Sequence, residues 1–140
     1  MNDDIRSVTV EREFPHPPER LWRALTQSHL IEEWLMKTDF APEIGHHFKL
    51  RGEWGGVIDG EVLVIEPQRT LAYRWDFSND DAAFNLRSVV TFTLTPSGSG
   101  THLRMEQVGF RTEQKQAFGG AKIGWAKFLD NLGGLLSRID

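Results

Sequence analysis

The sequence predicts an α+β domain in which a curved antiparallel sheet wraps one long C-terminal helix. Three observations carry this. Within residues 121–140 the apolar side chains Trp125, Phe128, Leu129, Leu132, Leu135, Leu136 and Ile139 recur at helical spacing, forming the single stripe of an amphipathic helix. From His47 to Phe110, apolar and polar residues alternate in runs broken by turn residues, the period of half-buried strands. Helical spacing otherwise occurs only in two short tandem segments between Pro18 and Leu35. Helices set apart in sequence from a run of strands belong to an α+β layout.

In chain order, residues 7–14 alternate, with Val8, Val10 and Phe14 on one side and Thr9, Glu11 and Glu13 on the other. Pro15 to Pro18 stop this strand. Pro18 suits the first helical position and Glu19 the positive end of the helix dipole. Leu21, Trp22 and Leu25 give a first short helix; Ser28 is placed to cap a second, carrying Leu30, Ile31, Trp34 and Leu35. Five or six strands follow. Phe48 and Leu50 alternate with His47, Lys49 and Arg51, and residues 52–56 read as a turn. Residues 57–66 form the next strand, closed by Pro67. Leu71, Tyr73, Trp75 and Phe77 alternate with Ala72, Arg74 and Asp76. After the polar loop 78–81, residues 86–95 and 101–110 pair as a hairpin about the turn 96–100, and residues 112–120 read as a polar linker. At ~1.5 Å per residue the final helix is roughly 30 Å long, so it needs an equally long apolar surface, which the strands offer. Gly124, Gly133 and Gly134 lie within it. Either they let its backbone approach the sheet, or they leave room for a cavity.

The 140 residues suit a single domain spanning the whole chain. There is no cysteine, which removes disulfides, thiolate metal sites and cysteine nucleophiles. The first residues lack a basic stretch followed by an apolar core, and no apolar run reaches the length of a membrane span. The expected location is the cytoplasm. The formal charge of −4 is spread among interleaved acids and bases, with no basic stripe, which argues against nucleic acid as a partner. Five tryptophans and nine phenylalanines are many for this length; part of that is core, and part suits a pocket for a flat or apolar molecule.

Four segments in this order resemble a known superfamily: residues 14–34 (FPHPPERLWRALTQSHLIEEW), 60–67 from Gly60-Glu61-Val62 to Pro67, 71–75 (LAYRW) and 124–132 (GWAKFLDNL). They resemble the SRPBCC superfamily (START-like, birch-pollen-allergen-like) with its helix-grip fold. Within it they are similar to bacterial proteins related to the C-terminal domain of the activator of the heat-shock protein 90 ATPase. The resemblance covers almost the whole chain from Val8. It implies a deep cavity between the long helix and the sheet, which different relatives use for lipids, polyketides or hormones. A co-chaperone activator is expected to bring further sequence for gripping its partner; this chain, running from first strand to last helix, is expected to lack it.

If the apolar strand faces look at the helix, Tyr73, Trp75, Phe92 and Met105 meet Trp125, Phe128 and Leu129. These are core contacts or the lining of a ligand cavity. Trp34 and Phe40 are expected near the cavity mouth, and Trp54, between turn glycines, as a gate, a partner contact, an incidental exposed ring or a local packing contact. The five histidines show no HExxH and no helical pairing with a carboxylate, and adjacent His46 and His47 on a strand point apart, so no metal site is expected. No GxSxG or phosphate-cradling glycine motif occurs. Glu53, Asp59, Glu61, Arg74 and Glu106 read as sheet-surface charge, and no catalytic set and no cofactor are identified.

Three function classes follow: a binding module for a small apolar or aromatic molecule, working as monomer or homodimer; a protein-interaction or stress-response module whose partner is a chaperone or another protein; and a cyclase-like enzyme. The first is preferred, so an enzyme is not the leading expectation. A buried ionisable group facing the cavity would favour the third, an exposed apolar patch over the sheet the second.

Overall fold

The computed structural model of the chain describes residues 5–81 and 84–139. Asp140, the expected last residue of the long helix, and residues 1–4, read above for a leader, lie outside them. The element order is β1 (Ile5–Phe14), α1 (Pro18–Thr26), α2 (Ser28–Trp34), β2 (Lys37–Thr38), β3 (His47–Arg51), β4 (Val57–Glu66), β5 (Thr70–Phe77), β6 (Leu86–Ser97), β7 (Gly100–Arg111) and α3 (Lys115–Leu136). All strands form one antiparallel sheet in the order β1-β7-β6-β5-β4-β3-β2. Strands β2 to β7 are thus a meander, with β1 at the far edge beside β7. Because β1 and β2 lie at opposite edges, the chain must cross the sheet between them, and α1 and α2 make that crossing.

The expected α+β architecture is the one observed, with local differences that have physical causes. β2 has no sequence signature, because two residues carry no periodicity. Ser28 is the first residue of α2 rather than its cap; extended Gln27 takes the cap position, without a side-chain hydrogen bond. The larger difference is α3, which starts at Lys115, inside the stretch read as a linker. Buried Gln114 makes the corner tight. Its Oε1 accepts the Arg111 backbone N–H (2.9 Å), its Nε2 donates to the Asn85 carbonyl (2.8 Å), and its own carbonyl accepts the Phe118 N–H (3.0 Å). At the other end α3 stops at Leu136, and Ile139 packs on the core from beyond the helix.

The core lies between α3 and the inner sheet face. Trp125, Leu129, Leu132, Leu135 and Leu136 are buried against Val90, Phe92, Leu103 and Met105 and their neighbours. On β7 the inward set Leu103, Met105 and Gln107 would continue at residue 109. Instead Gly109 is bulged, with φ +141, and the β1 register skips it, pairing Ser7 with Val108 and Arg6 with Phe110. A Cβ there would stand 2.2 Å from the Arg87 carbonyl oxygen, so the bulge requires glycine. It moves the alternation by one residue and buries Phe110.

Candidate functional site

Along the first half of α3, Ala117, Gly120, Ala121 and Gly124 share one stripe at i, i+3, i+4 and i+7, and none carries more than a methyl group. The helix cannot fill the space below it there. No residue from Lys115 to Gly124 is buried, whereas Trp125, Leu129, Leu132, Leu135 and Leu136 beyond it are. A Cβ added to Gly120 or Gly124 would meet nothing within 4 Å. The result is an open groove of about 360 Å³ lined by these four residues, near the lower end of the ~300–1,000 Å³ range of ligand sites. Gly133 differs: a Cβ there would touch the Phe14 ring at 3.4 Å. The two readings of the helix glycines therefore divide by position, with space at Gly124 and close packing at Gly133.

The opposite wall comes from the sheet: Ile58 of β4, Trp75 and Phe77 of β5, Leu86 of β6, and Gln107 and Phe110 of β7. Trp125 and Phe128 close one end, their ring centroids 5.5 Å apart, with Trp75 5.2 Å from Trp125. Met36, Trp54 and Phe84 complete the lining. Trp54 belongs to the β3–β4 turn, which is closed by hydrogen bonds from Gly52 N–H to the Gly56 carbonyl and from Gly55 N–H to the Gly52 carbonyl, both 3.0 Å. Its indole occupies the space that side chains on Gly52 and Gly56 would need, and it remains 61% exposed.

Polar groups are few. Gln107 is 1% exposed. Its Oε1 accepts the Trp125 indole N–H (2.7 Å), its Nε2 donates to Ser88 Oγ (3.0 Å), and that hydroxyl donates to the Trp75 carbonyl (2.5 Å). Among the described residues that line the groove, none is ionisable. Tyr73 is buried, and burial pushes its phenol well above the ordinary value; it packs among Phe40, Phe48 and Phe92 rather than lining the groove. The strand charges lie elsewhere: Lys49 pairs with Asp59, Arg74 with Asp76 (3.2 Å) and Arg104 with Glu106 (3.5 Å). Among the described residues no three or more His, Asp or Glu side chains are grouped to hold a metal ion.

Of the residues singled out from sequence, the groove brings together Trp75, Trp125, Phe128 and the gate candidate Trp54. Trp34, Phe40, Tyr73, Phe92, Met105 and Leu129 are buried in the core and do not line it. Trp34 and Phe40 are not at the mouth. Trp34 is fixed inward by its indole N–H, which donates to the Ala24 carbonyl (2.9 Å), and its ring meets Phe92 edge-on; Phe40 packs on Phe48 with centroids 5.0 Å apart. Met36 and Trp54 border the groove instead. Sequence reasoning missed Gln107, Phe110 and the small-residue stripe. Gln107 has a signal, a polar residue in phase with inward Leu103 and Met105. Phe110 has a weaker one, the isolated Gly109 before it.

The family described as "Activator of Hsp90 ATPase homolog 1-like protein" matches residues 15–137 of the chain. No curated protein is similar enough in sequence to match. Among solved structures, protein MLL2253 from Mesorhizobium loti is 62% identical with a TM-score of 0.94, over 96% of this chain and 99% of that one. CalU16 from Micromonospora echinospora is 26% identical, TM-score 0.79, over 95% of this chain and 77% of that one. The Aha1 dimer from Colwellia psychrerythraea, 22% identical over 94% of this chain and 96% of that one, shares the fold with a TM-score of 0.77. The chain therefore belongs to the activator of Hsp90 ATPase homolog 1-like family, with the helix-grip fold of the SRPBCC superfamily.

Proposed function

We propose that the protein is a cytoplasmic binding module that holds a small hydrophobic or aromatic molecule between the first half of α3 and the sheet. The observation that carries this is the side-chain-poor stripe of Ala117, Gly120, Ala121 and Gly124 facing the aromatic rings of Trp75 and Phe77 across open space, with Trp125 closing one end. A flat molecule burying on the order of 200 Å² of apolar surface there gains roughly 5 kcal/mol before the cost of association. A cyclase-like enzyme is less well supported, since the described residues of the groove lining offer no ionisable side chain. Family membership and exposed Trp54 and Ile123 keep a second reading, a protein-interaction module acting as monomer or homodimer.

The test is a tryptophan-fluorescence titration with a panel of polyaromatics, flavonoids and fatty acids, on the parent and on Gly124→Leu. Saturable quenching by an apolar compound that Gly124→Leu weakens at least tenfold, with the fold intact, supports the groove. A parent that ignores the panel, or a folded Gly124→Leu that binds as tightly, removes it and moves weight to the partner-binding reading.

A further inference from the structure

The hydrogen-bond chain beneath the groove has a fixed direction. An indole nitrogen can only donate, so Trp125 must face the oxygen of the Gln107 amide, as it does at 2.7 Å. At the other end the Ser88 hydroxyl hydrogen is committed to the Trp75 carbonyl, so towards Gln107 that oxygen can only accept. The amide therefore cannot be turned over. One Nε2 hydrogen goes to Ser88, and the second has no partner among the described residues. Gln107 is almost fully buried yet lines the groove, so the groove is where a partner for that hydrogen can come from. Orphaned buried N–H groups are tolerated less readily than under-used carbonyl lone pairs. The stronger demand is thus for an acceptor.

From this, and resting on the groove being a binding site, we infer that Gln107 is its specificity-determining anchor, and that the preferred ligand is a neutral, flat aromatic molecule whose carbonyl oxygen accepts the free Gln107 N–H. Neutrality follows from the lining, whose described residues include no cation to pair with a carboxylate or phosphate taken out of water. Flatness follows from the walls, where the rings of Trp75 and Phe77 stand across from a helix face with almost no side chains. A hydrogen bond of ordinary net strength corresponds to roughly two- to tenfold in affinity.

Fluorenone and fluorene are a suitable probe pair, since they share a tricyclic shape and differ by one carbonyl. Dissociation constants for both are measured on the parent and on Gln107→Leu. The expected result is that the fluorenone-to-fluorene affinity ratio falls roughly two- to tenfold in the variant, mainly through weaker fluorenone binding. A measurement on the parent alone covers a variant that does not fold: the Gln107 side-chain amide proton resonances should shift downfield with fluorenone and not with fluorene. If both probes bind, the ratio is the same in parent and variant, and the amide responds alike to both, the anchor is wrong while the groove stands. If neither probe binds the parent, the groove reading fails and the anchor with it.

Discussion

The indole of Trp54 meets the ring of Phe77 edge-on, with centroids 5.4 Å apart and planes at 70°. Phe77 is part of the sheet wall of the groove, so this contact ties an exposed turn residue to the site. Trp54→Ala is expected to leave the unfolding free energy within about 1 kcal/mol of the parent, since the ring is mostly exposed and one aromatic pair is lost. It should speed dissociation of a groove ligand several-fold. Stopped-flow release of a bound polyaromatic is the measurement, and an unchanged rate would place Trp54 outside the binding event.

Gly120 and Gly124 destabilise α3 as a helix, by roughly 1 kcal/mol each relative to alanine. Since a Cβ at either meets nothing, Gly120→Ala and Gly124→Ala should each raise stability by about 1 kcal/mol in urea denaturation. Each methyl also narrows the groove, so ligand affinity should fall as stability rises. Both gaining stability with no loss of affinity would mean that these glycines serve no site.

The fold was readable because its signals are periodic. Strand alternation and the stripe from Trp125 to Leu136 survive into the structure, since each apolar face has one large partner. The site was half readable. Trp75 and Trp125 followed from alternation and helical spacing, but those rules cannot separate a ring that fills the core, such as Phe92 or Trp34, from one that borders space. The difference lies in what is missing opposite it. Residues 112–120 looked like a linker because the first turns of α3 carry small and polar residues, and those small residues are the wall of the groove. Phe110 was in phase only after the Gly109 bulge, a tertiary feature set by the β1 and β6 neighbours.

The β4–β5 turn holds Gln68 at φ +62, the one non-glycine residue with positive φ among those described. Arg69 N–H donates to the Glu66 carbonyl (2.9 Å) across it, with Pro67 at the second position, as in a type II turn, whose third position favours glycine. Holding a residue with a Cβ in the left-handed region costs roughly 1–2 kcal/mol. Gln68→Gly is expected to stabilise by up to about 1 kcal/mol once the greater freedom of glycine in the unfolded chain is set against that relief. Thermal denaturation reads it, and a lowered midpoint would mean that the Gln68 side chain makes a contact worth more than the strain.

On the outer sheet face the His102 ring sits between two carboxylates, with Nε2 2.7 Å from Glu11 and Nδ1 2.5 Å from Glu13. β1 and β7 pair in register, and this places Glu13 opposite His102 and Glu11 two residues along. Hydrogen bonds to Glu11 and then to Glu13 raise the His102 pKa above its ordinary value against the opposing effect of burial, and the charges of the two carboxylates add to the rise. A raised folded-state pKa means that the protonated ring stabilises the fold. That contribution is fully present below the unfolded pKa of about 6.5 and is lost as pH rises through the higher folded value. An NMR titration of the His102 ring should therefore give a midpoint above about 6.5, and Glu11→Gln with Glu13→Gln should lower it. Stability of the parent relative to that double variant should decline on going from mildly acidic to alkaline buffer. A midpoint that the double variant leaves in place would mean that the two carboxylates do not hold the ring in solution.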